Sequence, residues 1–222
     1  MFKSKKRPVI VTQAEHGRLS GILASLWGND NFDRPAMNFE SFVLGVTFHD
    51  RGYGLVDNAP IGEADPAEWR EIQRLGIVNG FTDDPVANII VLMHIKRLLT
   101  WMNEDEFVEL AHQYIRQSLI KTDVPQSMFE WTDHITRLCD EISFNFSFEA
   151  NLQKPAELYP KLDSDETVTI YHRLTDDGTI YVKPWVFSVD SYSGFITGYN
   201  ANTYPDTLEP VYMPFKLLPD TD

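Results

Sequence analysis

Phe39-Glu40-Ser41-Phe42-Val43-Leu44-Gly45-Val46-Thr47-Phe48-His49-Asp50-Arg51-Gly52-Tyr53-Gly54 is an apolar, helix-like run that ends in a His-Asp pair and two glycines. Asn38 is placed to cap it, and Phe39, Phe42, Val43 and Val46 form one stripe at helical spacing. Neighbouring residues on a regular helix point about 100° apart and do not share a target. At a helix end, with Gly52 and Gly54 permitting a turn, both side chains of His49-Asp50 can face inward and bind one metal ion.

Working outward, three more metal-competent residues fall on helix-like segments. Thr12 caps a helix with Glu15 as the other half of a capping box, and His16 lies one turn in, beside Leu19, Ile22, Leu23 and Leu26. Trp27-Gly28-Asn29 ends that run. Asp84-Pro85 opens a helix that is apolar nearly all round, with Ile89, Ile90, Leu92, Met93, Leu98 and Leu99, and His94 interrupts it. Asp140 belongs to a last long helix, from about Gln126 toward Ser143, whose Ile135, Leu138 and Ile142 form an apolar face. Polar groups on buried faces of four helices need partners, because burial without them costs several kcal/mol. One shared ion satisfies all of them.

Composition narrows the function. Nineteen Lys+Arg against 33 Asp+Glu give a net charge of −14, which disfavours nucleic-acid backbones and leaves a small phosphorylated substrate open. The single cysteine, Cys139, excludes an internal disulfide and a thiolate zinc cluster. No apolar stretch reaches the roughly 18 residues of a membrane span, and Pro8–Gln13 is too short for a signal-peptide core. A cytoplasmic protein with no membrane partner is expected, of open oligomeric state.

Shorter helices are expected around Trp69–Leu75, opened by Asp65-Pro66, and after Asn103, with Glu106 at the capping-box position. Beyond Pro155 the pattern becomes β-like: Val168–Ile170, Ile180–Val182, Val186–Val189 and Phe195–Thr197, with a hairpin turn at Asp177-Gly178. Prolines 184, 205, 210, 214 and 219 punctuate the rest. The expected organisation is mainly α: a helical bundle over residues 1–155, with a small antiparallel β hairpin or sheet over 156–222 packed on it.

The order His16, then His49-Asp50, then Asp140 resembles the HD-domain superfamily of metal-dependent phosphohydrolases, although the interval from Asp50 to Asp140 is longer than is usual there. A closer resemblance is to a bacterial family of unknown function, the domain-of-unknown-function family 3891. It is carried by Thr12-Gln13-Ala14-Glu15-His16, Trp27-Gly28-Asn29, Phe48-His49-Asp50-Arg51-Gly52-Tyr53, Leu92-Met93-His94, Asp140-Glu141-Ile142-Ser143 and Pro184-Trp185-Val186-Phe187. That family usually has Trp where this chain has Tyr53. The pattern unites Gln13, His16, His49, Asp50, His94 and Asp140.

The resemblance implies an HD-like fold and a divalent transition metal (Mn, Fe, Zn, Ni or Co) held by His16, His49, Asp50 and Asp140, with His94 in or near the site. The leading expectation is a metal-dependent hydrolase of a small phosphorylated molecule, a nucleotide or other phosphoester. Asp50 or His94 would handle protons, and Arg18, Arg51 or Lys96-Arg97 would supply cationic clamps. Gly52-Tyr53-Gly54 is too short for a specific phosphate loop. A diiron oxygenase of HD type is the alternative, needing His94 or His112 for a second metal. A non-catalytic binding module, with Tyr181, Trp185, Phe187, Tyr192, Phe195 and Tyr199 as its contact region, is the third. Those aromatics read first as sheet packing, His112 as a solvated or packing residue, and His134 and His172 as surface or structural residues.

Overall fold

The computed structural model describes residues 1–51, 57, 60, 63, 65–79, 82–150 and 155–221. Among these, two short strands, β1 (Phe2–Lys3) and β2 (Val9–Val11), precede the helices α1 (Gln13–Ser25), α2 (Phe39–Thr47), α3 (Pro66–Val78), α4 (Pro85–Trp101), α5 (Asp105–Leu119) and α6 (Gln126–Phe148). The strands β3 (Ala156–Leu158), β4 (Val168–Leu174), β5 (Thr179–Lys183), β6 (Tyr192–Asn200) and β7 (Pro210–Pro219) follow.

The helix starts follow the local chemistry. Thr12, Asn38, Asp65 and Asp84 each accept hydrogen bonds from first-turn amides, and Pro66 and Pro85 occupy first-turn positions where a missing N–H costs nothing. Asn103 acts differently from the expected N-cap. It takes the left-handed conformation, φ 60°, and closes α4. Its N–H reaches the Thr100 carbonyl and the Glu104 N–H reaches the Leu99 carbonyl, the paired bonds that end a helix at an αL residue. Helix α6 runs past Ser143 to Phe148 because its apolar stripe continues: Phe144 and Phe148 pack edge-on to Phe2.

The fold class departs from the expected mainly α bundle with a small C-terminal appendage. The protein is mixed α/β, with a seven-stranded sheet in the order β1-β2-β6-β7-β5-β4-β3, and its first two strands come from the N-terminus. All neighbours are antiparallel except β5 and β7. Two things hid this. Val9–Val11 is too short to carry a period of its own, and the prolines of β7 read as loop. Yet Met213, Phe215 and Leu217 are buried while Tyr212, Pro214 and Lys216 are exposed, the two-residue alternation of a half-buried strand. Pro214 fits because it stands opposite Phe195 on β6, while β5 pairs with β7 only from Lys216 onward.

The expected strand at Val186–Val189 is instead an irregular clasp on the end of α1. The Gly28 and Ser188 amides donate to the Val186 and Leu26 carbonyls, and Phe187 bridges Trp27. The hairpin at Asp177-Gly178 forms as expected, with Gly178 at φ 83°.

One sheet face carries Ile170, His172, Leu174, Ile180, Val182, Ile196, Met213, Phe215 and Leu217 into the core. Helix α6 packs on β1, β3 and β4, and Phe146 meets Phe215 at 5.8 Å. The other face exposes Tyr171, Phe195 and Tyr212. Strand β2 reaches only Tyr199 and Asn200 of β6, with Val9 lying opposite Asn200. Further along that free edge, α1 supplies the partners: the Thr197 N–H donates to Glu15 at 2.7 Å, and Arg18 donates to the Phe195 carbonyl at 2.7 Å.

Helices α1, α2, α4 and α6 pack on one another, while α3 and α5 lie against α4. Close approach among the inner four rests on glycine. A Cβ on Gly17 would overlap the Thr47 carbonyl, one on Gly21 would overlap the Thr47 side chain, and one on Gly45 would lie 2.7 Å from the Ile90 Cβ. Bare backbone at these crossings brings α1, α2 and α4 near enough for their side chains to share one small site. No described helix is long and apolar enough to cross a membrane.

Candidate metal centre

His16 and His49 are fully buried, and Asp50 and Asp140 keep 11% and 17% of their side chains exposed. His16 Nε2 lies 3.2 Å from His49 Nε2, 3.1 Å from Asp140 Oδ1 and 3.4 Å from Asp50 Oδ2. His49 Nε2 lies 3.4 Å from Asp140 Oδ1 and 3.7 Å from Asp50 Oδ2. Ligands held about 2.1 Å from one ion are about 3.0 Å apart at right angles and about 3.4 Å apart in a tetrahedron. The two nitrogens and Asp140 Oδ1 therefore have the mutual spacing of one ion's ligands, and Asp50 Oδ2 stands near that spacing from both nitrogens. Two carboxylates also balance a divalent charge.

Protonation points the same way. Val46, in the last turn of α2, accepts a hydrogen bond from His49 Nδ1 at 2.7 Å, so that nitrogen carries hydrogen and Nε2 turns to the cluster. Ser143 Oγ donates its only hydrogen to the His16 carbonyl at 2.8 Å, so it accepts from His16 Nδ1 at 2.9 Å. Both imidazoles are thus held by an outer hydrogen bond with Nε2 inward, the usual arrangement behind a metal-ligating histidine. Two Nε2 lone pairs 3.2 Å apart require a cation between them.

In the metal-free protein that cation is a proton. Burial works against charge on His49, but the Asp50 carboxylate, joined by Asp140, outweighs it and raises the pKa to about 9. Burial likewise opposes ionisation of Asp140, yet the His16 and His49 imidazoles beside it hold it well below the ordinary carboxylate range. Asp50 is lowered too, against its burial, chiefly by His49, His94 and His16.

His94 is buried in α4, and its ring meets that of His49 at 4.5 Å between centroids. Its Nε2 lies 3.0 Å from Asp50 Oδ1, and Arg97 donates to its Nδ1 at 2.8 Å. Burial first, then the charge on His49, lowers its pKa. His49, Asp50 and His94 form a second group whose donor atoms lie within 4.8 Å, sharing His49 with the group of His16, His49 and Asp140.

Among the expected clamps, Arg97 borders the cluster, with Nη2 3.9 Å from Asp140 Oδ2 and Nη1 bonded to Asp133. Arg18 is engaged by Glu15 and Phe195 at the sheet edge, and Lys96 lies beside His112 on the α5 side. Arg51 is exposed just beyond the pair. Gly52, Tyr53 and Gly54 fall outside the described residues. His112 on α5 is partly buried, His134 packs edge-on to Tyr159, and His172 is buried beneath the sheet, accepting from Asn145 at 2.6 Å. Cys139 is buried, and burial pushes its thiol pKa up, so it is unreactive.

Sequence reasoning missed Ser143 and Asp133 and did not assign Arg97 to His94. Helical spacing held the signal: Ser143 is three residues after Asp140, Arg97 three after His94, and Asp133 two turns before Asp140. No curated protein and no solved structure matches the chain. Residues 1–198, which hold all five candidate residues, match one family throughout, and the chain belongs to that family, described as Protein of unknown function (DUF3891).

Proposed function

We propose that the protein is a metal-dependent hydrolase of a small phosphorylated molecule, a nucleotide or other phosphoester. The observation that carries this reading is the convergence of two inward-facing Nε2 atoms and Asp140 Oδ1 at the spacing of one ion's ligands, with Asp50 Oδ2 3.4 Å and 3.7 Å from the two nitrogens. His16 and His49 would bind through Nε2, Asp140 through Oδ1 and Asp50 through Oδ2. When bound, a divalent metal activates water as a nucleophile and polarises a phosphoryl oxygen.

The chain's own groups supply the rest. The carboxylates are the exposed edge of the donor set and the imidazoles its buried floor, so a ligand approaches from the carboxylate side. Arg97, 24% exposed, fixes a positive charge beside that edge, where a phosphoryl group needs one. Asp50 binds with Oδ2 while Oδ1 accepts from His94, which fixes the carboxylate's orientation and offers a proton at Nε2. The order of His16, His49-Asp50 and Asp140 supports an HD-type phosphohydrolase reading, and the net charge of −14 argues for a small substrate over a nucleic acid. A cytoplasmic setting accords with the lone buried cysteine.

The test is elemental analysis of protein purified without chelator, beside Asp50→Ala, followed by a phosphoester screen with the metal found. Near-stoichiometric metal lost in the variant, together with hydrolysis of at least one phosphoester, is expected. Wild-type protein that takes up no Mn, Zn, Fe, Ni or Co would overturn the proposal.

A further inference from the structure

We infer that Arg97 sets the metal number of this centre at one, its guanidinium occupying the position and the lone pair that a second ion would need at His94. This rests on the metal reading above and deepens it.

An imidazole without charge has one hydrogen and one lone pair. Arginine has no acceptor and keeps its charge, so a guanidinium N–H 2.8 Å from His94 Nδ1 takes the lone pair of that nitrogen. The hydrogen is then on Nε2, where it points at Asp50 Oδ1, 3.0 Å away. Neither nitrogen has a free lone pair, so His94 cannot ligate although its donor atoms stand within ligand distance of His49 and Asp50.

The guanidinium also fills the place of the missing charge. His94 Nδ1 and Asp140 Oδ2 are 3.7 Å apart, close to the spacing of two ligands on one ion, and Arg97 Nη2 approaches both, at 2.8 Å and 3.9 Å. Asp133 holds the other end of the guanidinium through Nη1, with its carboxylate and its carbonyl both accepting. In the chain Asp133–Arg97–His94–Asp50, Arg97 donates to both Asp133 and His94, and His94 donates to the first ion's ligand Asp50. Arg97 acts on the centre through His94 and is a positioning residue that selects metal stoichiometry.

Zinc titration with elemental analysis after desalting gives the number of ions. Long-range proton–nitrogen NMR of the imidazoles, in metal-free and zinc-loaded wild-type protein, shows which nitrogens bind. One equivalent is expected in the wild type, with zinc-induced shifts at Nε2 of His16 and His49 and none at either nitrogen of His94. Arg97→Met frees the His94 lone pair, so a second equivalent appears, and Arg97→Met/His94→Gln returns to one. Two equivalents in the wild type, a zinc shift at His94, or a folded Arg97→Met that stays at one would each overturn the inference while leaving the metal centre intact. Zero equivalents in the wild type would overturn both. If Arg97→Met does not fold, the wild-type nitrogen spectrum decides alone.

Discussion

Gly17→Ala tests how the helices build the site. The new Cβ would sit about 1 Å inside van der Waals distance of the Thr47 carbonyl oxygen, a backbone atom that cannot rotate aside. Helices α1 and α2 must therefore part by about 1 Å. Overpacking of this kind costs about 1–3 kcal/mol, offset by about 1 kcal/mol from alanine's better helix propensity. The net loss of up to about 2 kcal/mol lowers Tm by about 4–8 °C for a chain of this size. The larger effect falls on the centre. His16 rides on α1 and His49 follows α2, so their 3.2 Å Nε2 separation opens to about 4 Å, beyond the roughly 3.0–3.4 Å edge of one ion's ligand set. Zinc affinity, measured by competition with a chromogenic chelator, should fall about 100-fold, of the order that a 1 Å misplacement costs a pre-arranged site. Ser25→Ala, exposed near the end of the same helix, should leave it unchanged. Wild-type zinc affinity in Gly17→Ala would refute the claim that this crossing sets the ligand spacing.

Ser143→Ala removes the acceptor for His16 Nδ1 and should weaken zinc binding about 10- to 100-fold in the same competition assay, with the fold retained by circular dichroism. His49, raised to about 9 from an unfolded value near 6.5, stabilises the metal-free protein fully below pH 6.5, and this contribution is lost as pH rises through 9. Urea denaturation of chelator-treated protein should therefore show a loss on the order of 3 kcal/mol from pH 6.5 to 9, and zinc-loaded protein should show much less. His172, lowered by burial to about 4, has the opposite sign: its contribution is complete above pH 6.5 and disappears as pH falls to 4. That fall should cost on the order of 3 kcal/mol by urea denaturation, and His172→Gln should flatten the profile.

The helical half was legible because its signals are local. Thr12, Asn38, Asp65 and Asp84 each announce a helix within four residues, and the structure uses all four as caps. Asn103 misled because asparagine serves equally at an N-cap and at the left-handed residue closing a helix, and only the Leu99 and Thr100 carbonyls decide between them. The sheet was obscure for a different reason. Val9–Val11 becomes a strand through Tyr199 and Asn200, nearly two hundred residues away, and Pro214 is tolerated through a register the sequence does not display. In the centre, His16, His49, Asp50 and Asp140 were recognisable as polar residues on apolar faces. The role of His94 turned on where its one hydrogen sits, and that depends on Arg97, whose residue type alone pointed to phosphate.

Helix α1 lies between two surfaces that would otherwise be unsatisfied. One side carries His16 into the centre, and the other gives Glu15 and Arg18 to the β6 backbone at Thr197 and Phe195. An uncovered strand edge is a template on which other chains can build. On the proposed metal reading, one rigid body would serve both the ion and the covered edge, so chelator-treated protein is expected to associate with itself more readily than metal-loaded protein.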